Sequence, residues 1–216
     1  MWAEFLAREA PDLAIGRFKT IPTTSLVGNA EETWRTRCMA GYARLDLMKH
    51  YYDCHNGALR KDLYLRLGGF SPELPMLAEF DFGARAFAAG HPIVQYEASC
   101  VAHINDSGLS TYAGIIEGQG ADRTRLMLMR GPDFLARFFP NPRFLKLLPV
   151  LRFFRLPLLA ALTARKWMWA GLFRALLAVG LRSAAQRCFE AFAADSHRRG
   201  QIIGLKDVGR IAREAA

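Results

Sequence analysis

The sequence predicts an α/β domain over residues 1–130 followed by a helical, basic tail over residues 131–216. Three observations carry that expectation. Between residues 55 and 104, segments of helical apolar spacing alternate with short runs of strand length, which favours layered α/β architecture. Charge is unevenly divided: residues 1–129 hold 13 Lys and Arg against 15 Asp and Glu, whereas residues 130–216 hold 16 against 5. Beyond residue 130, Pro132, Pro140, Pro142, Pro149 and Pro157 break the chain repeatedly, so a boundary is expected near residue 131.

Taken in order, Leu13 to Phe18 is a short apolar run ending near Pro22 and reads as a strand. Residues 26–50 read as a helix with a weak start signal at Asn29 and Glu32. Leu59 to Leu67 reads as a helix that Gly68-Gly69 stops, because glycine accepts the left-handed conformation of a helix end. Phe70 to Glu73 is a turn. A helix from about Glu79 to Ala89 places Phe80, Ala84, Phe87 and Ala88 on one face and ends at Gly90. Two short strands follow, Ile93 to Tyr96 and Cys100 to His103, divided by Glu97-Ala98-Ser99.

A chain of 216 residues and 24.2 kDa, 51% hydrophobic, can bury one sizeable core or a smaller core with an appendage. Cys38, Cys54, Cys100 and Cys188 lie far apart with no C-x-x-C pair, which predicts free thiols rather than a zinc or redox motif. The N-terminus has no basic segment leading into an apolar stretch, so no signal peptide is expected.

The tail poses a membrane question. Leu156 to Leu181 is rich in apolar residues, but Arg165, Lys166 and Arg174 interrupt it, and each central cation costs roughly 2.5–3.5 kcal/mol to insert. Two readings stand. One is an interfacial helix with Trp167 and Trp169 at the headgroups and cations on anionic lipid, peripheral to the cytoplasmic face of the cell membrane. The other is a helical hairpin packed on its own domain. No helix-turn-helix, zinc finger or aromatic RNA-binding motif points to nucleic acid.

Five segments carry a resemblance: Asn56 to Lys61, Leu67-Gly68-Gly69-Phe70, Glu79 to Arg85, Ala89-Gly90 and Val101-Ala102-His103. In this order and approximate spacing they resemble the acceptor-side half of family-two glycosyltransferases of the GT-A fold. The resemblance implies a partial GT-A-like, incomplete Rossmann-like domain and inverting transfer of a sugar from a nucleotide-sugar donor to a lipid-linked or polysaccharide acceptor. It implies that Glu79 falls on the position of the catalytic aspartate and Asp81 on the second acidic position. It gives Arg85 the place of a group that orients or pairs with a carboxylate, and Asn56 a place in the acceptor pocket. His103 takes the place of the histidine near the donor diphosphate and its divalent cation, Mg or Mn. The sequence departs from the pattern at Ala78, where the family has glutamate, and at Glu79, where it has aspartate. The residues themselves admit a plainer reading: acidic residues are common at helix starts, and a histidine at a strand end is often structural.

The family's nucleotide-binding half, with its Asp-x-Asp motif, is not matched: the sequence holds no Asp-x-Asp, G-x-G-x-x-G or P-loop. The expectation is therefore a fragment of a full enzyme, one chain of a split enzyme whose partner supplies the donor half, or a non-catalytic membrane-peripheral module derived from one.

Overall fold

A computed structural model describes residues 2–21, 23–44, 50–104, 106–138 and 148–207. Three strands form one sheet, β1 (Leu13–Thr20), β2 (Gly57–Leu59) and β3 (Ile93–His103), in the order β2-β1-β3. β1 is central, antiparallel to β2 and parallel to β3. Leu13, Ala14 and Ile15 are buried, as a strand covered on both faces requires. The helices, in chain order, are α1 (Trp2–Glu9), α2 (Leu26–Arg44), α3 (Lys61–Arg66), α4 (Ala78–Ala88), α5 (Leu109–Arg130), α6 (Pro132–Phe138), α7 (Leu148–Phe153), α8 (Arg155–Ala178) and α9 (Arg182–Gly204).

The α/β expectation holds, with three local differences. Leu59 belongs to β2, where it pairs with Leu13, and the helix starts only at Lys61. The two strands expected between 93 and 103 are one strand with an irregularity: Gly16 pairs with Tyr96 and Arg17 with Cys100, so Glu97, Ala98 and Ser99 bulge out. Trp2–Glu9 forms an amphipathic helix that periodicity did not mark, and Phe5 stacks on Tyr96 at 4.0 Å. The helix stop at Gly68-Gly69 is as expected, with φ of 77° and 68°. Residues 45–49 of the expected helix 26–50, together with Pro22, Pro140 and Pro142, lie outside the described residues.

Three apolar clusters divide the interior. One joins the sheet to α3 and α4 through Leu13, Ile15, Leu63, Phe82 and Ile93. A second joins the opposite face of α4 to the end of α5, α8 and α9 through Phe80, Ala84, Leu126, Leu162 and Ile202. The third joins α2, α5, α8 and α9 through Ala30, Tyr112, Phe173, Phe189 and Phe192. The change of texture near residue 131 therefore does not coincide with a gap between cores, since α9 fills clusters begun by α5.

The tail's cations serve this packing. Arg165 and Arg198 pair with the buried Asp195, and Lys166 and Arg199 with Glu117 of α5. Trp169 is packed against the third cluster with a buried indole N–H, away from the headgroup position expected for it, while Trp167 is half-exposed. α8 and α9 thus form a hairpin on their own domain. No helix among the described residues is long and apolar enough to cross a membrane.

Candidate functional site

β1 and β3 run parallel, and the C-terminal end of such a pair is where α/β sheets usually bind ligands. The turn Cys54–Asn56 flanks the middle of this pair, because β2 begins at Gly57 opposite Ile15, two residues short of Arg17, whereas β1 and β3 run on to Thr20 and His103. Asn56 fixes that turn: its Nδ2 donates to the Arg17 carbonyl at 3.0 Å and to the Ser99 carbonyl at 3.5 Å, and Ser99 Oγ donates to its Oδ1 at 3.1 Å. A side chain at position 16 would collide with Asn56, so glycine is required. Asn56 is buried and engaged in joining the turn to both strands, not turned toward a pocket.

The preceding segment runs along α4. A Cβ at Gly83 would stand 2.6 Å from the His50 carbonyl and 2.7 Å from Tyr52 Cβ, so the glycine permits this approach. The result sets Cys54 beside the head of α4, where its Sγ donates to Glu79 Oε2 at 2.8 Å. Burial first, then the hydrogen bond to Glu79 and the charges of Glu79 and Asp53, push the thiol up to about 11. Next to it, His55 is held by Asp53, whose Oδ1 lies 2.7 Å from His55 Nδ1 and accepts from the His55 backbone N–H at 2.9 Å. That hydrogen bond raises the His55 imidazole's proton affinity.

Asp81 stands apart from Glu79. It is fully buried, and it accepts from Ser71 Oγ at 2.8 Å, Arg85 Nε at 2.8 Å, and Arg130 Nε and Nη2 at 3.0 and 3.1 Å. Burial acts to raise its proton affinity, but the bonds from Arg130 and Ser71 and the two arginine charges outweigh it, so the carboxyl sits below its ordinary range. Arg85 also donates to the carbonyls of Leu67 and Gly69, tying α4 to the Gly-Gly turn. Asp81 and Arg85 therefore form a structural clamp, while Glu79 is the member of the acidic pair that meets solvent.

His103 ends β3 opposite Thr20, and its carbonyl accepts from the Ile21 N–H at 3.1 Å. Its Nδ1 is buried without a hydrogen-bond partner. Burial, and after it the charge of Arg35, lower its proton affinity, with Glu32, His55 and Asp53 also within electrostatic reach. A cleft of about 300 Å³ adjoins these groups, lined in part by Arg17, Glu32, Arg35, Tyr51 and Gln95. The hydroxyl of Tyr51 donates to Asp53 at 3.5 Å, which links the cleft to the His55 turn. A larger hollow of about 430 Å³ between α2, α5 and α8 is apolar and contains none of the candidate residues.

The donor chemistry bears on the expected cation. Mg and Mn prefer carboxylate, carbonyl and water oxygens, and His103 offers one nitrogen near acids already engaged with Arg35 and His55. That set does not fit a hard cation by itself. Among the described residues, Cys54, His55 and Glu79 do bring ligand atoms within 4.8 Å of one another. Spacing gave no sign of this trio, because Cys54-His55 lies 24 residues before Glu79 and follows no metal-binding pattern. No family model, curated protein or solved structure matches this chain.

Proposed function

We propose that this chain carries the acceptor-side half of an inverting glycosyltransferase, with Glu79 alone as the general base. The observation that carries the reading is the place of Glu79: at the head of α4, beside the turn Cys54–Asn56 that flanks the sheet. In this mechanism Glu79 takes the proton from an acceptor hydroxyl as that oxygen attacks the anomeric carbon. The bond to the nucleotide diphosphate breaks on the opposite face, so configuration inverts. The cleft of Arg17, Arg35, Tyr51 and Gln95 supplies hydrogen-bonding groups for a glycan or lipid-linked acceptor. A donor-binding segment outside these residues, upstream or on a second polypeptide, would hold the nucleotide-sugar together with its Mg or Mn ion.

The test is transfer of labelled sugar from a panel of nucleotide-sugars to membrane-extracted acceptor, by this chain supplemented with a nucleotide-sugar-binding GT-A half. Glu79→Gln should lower transfer roughly 10²- to 10⁴-fold at unchanged stability. Transfer at the wild-type rate by this variant would remove Glu79 from the role, and no turnover of any nucleotide-sugar would remove the enzyme reading.

A second reading, a non-catalytic module at an anionic membrane surface, is favoured by one feature. At the corner between α7 and α8, Val150, Phe153, Phe154 and Leu156 are exposed around Arg155, with Phe153 86% exposed. A cluster of exposed apolar side chains beside an arginine suits a headgroup interface. The chain should float with phosphatidylserine-containing vesicles at low salt, and Phe153→Asp with Phe154→Asp should reduce flotation at least tenfold. Equal recovery with neutral vesicles, or no flotation at all, would remove the anionic surface from the account.

A further inference from the structure

The geometry points to a zinc site: we propose that Cys54 Sγ, His55 Nε2 and a Glu79 carboxylate oxygen bind one Zn²⁺, with the fourth position open to water. The three residues come from two elements, the turn Cys54–Asn56 and the head of α4, and the Cys54 sulfur, one ring nitrogen of His55 and a Glu79 carboxylate oxygen already lie within 4.8 Å of one another. Zinc takes mixed sulfur, nitrogen and oxygen donors in tetrahedral geometry, and three protein ligands leave a site of the open type. Thiolate and imidazole select this borderline-soft ion over Mg or Mn.

A second observation is independent of that proximity. Asp53 grips His55 at Nδ1, at 2.7 Å, and Tyr51 donates to the other Asp53 oxygen at 3.5 Å. A carboxylate on the far ring nitrogen is the outer-shell arrangement that fixes tautomer and orientation in zinc sites, and it leaves Nε2 for the metal. The Asn56 clamp and the close approach at Gly83 hold the turn against α4, so the ligands are brought together by backbone packing. When the ion binds, the proton that Sγ shares with Glu79 is released to solvent and the thiolate replaces the thiol.

The site stands independently of the transferase reading, but one consequence rests on it. A carboxylate that ligates zinc cannot also accept an acceptor proton, so zinc loading and base action exclude each other at Glu79. Zinc would then be an inhibitor.

Cobalt substitution tests the site directly. The chelator-treated chain is titrated with Co²⁺ alone, following the near-ultraviolet thiolate-to-cobalt charge-transfer band and the visible bands of tetrahedral cobalt; one equivalent of Zn²⁺ should then abolish both. Cys54→Ser should remove the charge-transfer band, and Cys100→Ser, at the other exposed cysteine, should leave it. Asp53→Asn should keep the band while weakening Zn²⁺ binding about 10- to 100-fold. Far-ultraviolet circular dichroism confirms that each variant is folded. Absence of the band in the folded chain, its survival in Cys54→Ser, or displacement of Co²⁺ by equimolar Mg²⁺ would each overturn the proposal. None of these readouts requires transferase activity, so zinc binding without transfer, or transfer without zinc binding, separates the two claims.

Discussion

Asp81→Ala should lower the unfolding free energy by roughly 3–5 kcal/mol, read as a fall in the urea midpoint at unchanged slope. The carboxylate is 0% exposed and accepts four hydrogen bonds, from Ser71, Arg85 and, twice, Arg130. Its loss leaves two guanidinium groups, only 15% and 30% exposed, facing each other without a counter-charge. The clamp spans three parts of the fold: α4, the end of α5 and the turn after α3. Asp81→Asn keeps the volume but not the charge and should recover only a minor part. A loss below about 1 kcal/mol would mean that the arginines find water instead, and the clamp would not be structural. On the transferase reading proposed above, any fall in sugar transfer in this variant should track the fraction unfolded, whereas Glu79→Gln should lose transfer with its midpoint unchanged.

The second large effect is expected at the contact of α5 with α9. A Cβ at Gly200 would stand well inside van der Waals contact of the Glu117 carbonyl, one at Gly120 would meet the His197 carbonyl, and one at Gly204 would lie 2.7 Å from the Ala121 carbonyl. The neighbours are backbone, so relief requires the helices to separate. Alanine gains about 1 kcal/mol of helix propensity over glycine, but forced separation costs roughly 1–3 kcal/mol and more where backbone meets backbone. Gly200→Ala should therefore destabilise by about 2 kcal/mol, and Gly200→Val by more. Gly171 of α8 provides the control, since a Cβ there meets nothing within 4 Å. Gly171→Ala should be neutral or stabilise by up to about 1 kcal/mol. Equal effects at the two glycines in thermal unfolding would refute the close-contact account.

These two sites also show what the sequence could and could not convey. Helix α4, its Gly90 end and the Gly68-Gly69 stop were legible because local propensity and the native conformation agree there. The strand Leu13–Thr20 was legible because a buried central strand is an apolar run. The single long β3 was not, because Glu97-Ala98-Ser99 looks like a break, and only pairing with β1 shows three residues bulging from a continuous ladder. Helix α5 was hidden for another reason: its glycines at 114, 118 and 120 depress helix propensity, and the close packing that Gly120 serves lies about 80 residues away in sequence.

At the site, Glu79 and Asp81 were legible as an acidic pair at a helix start, but two positions apart on a helix point in different directions. One therefore turns inward to the arginines and the other outward to Cys54. The Cys54–His55 contribution depends on the chain's return against Gly83, which no spacing rule encodes.

The sharing of clusters between α5 and α9 bears on the order in which the chain can assemble. Tyr112 and Leu126 are made early, yet Phe189, Phe192 and Ile202, which close over them, emerge from the ribosome some 60 to 80 residues later. Until then two apolar surfaces stay unfinished, so neither core can close before the last long helix has been made.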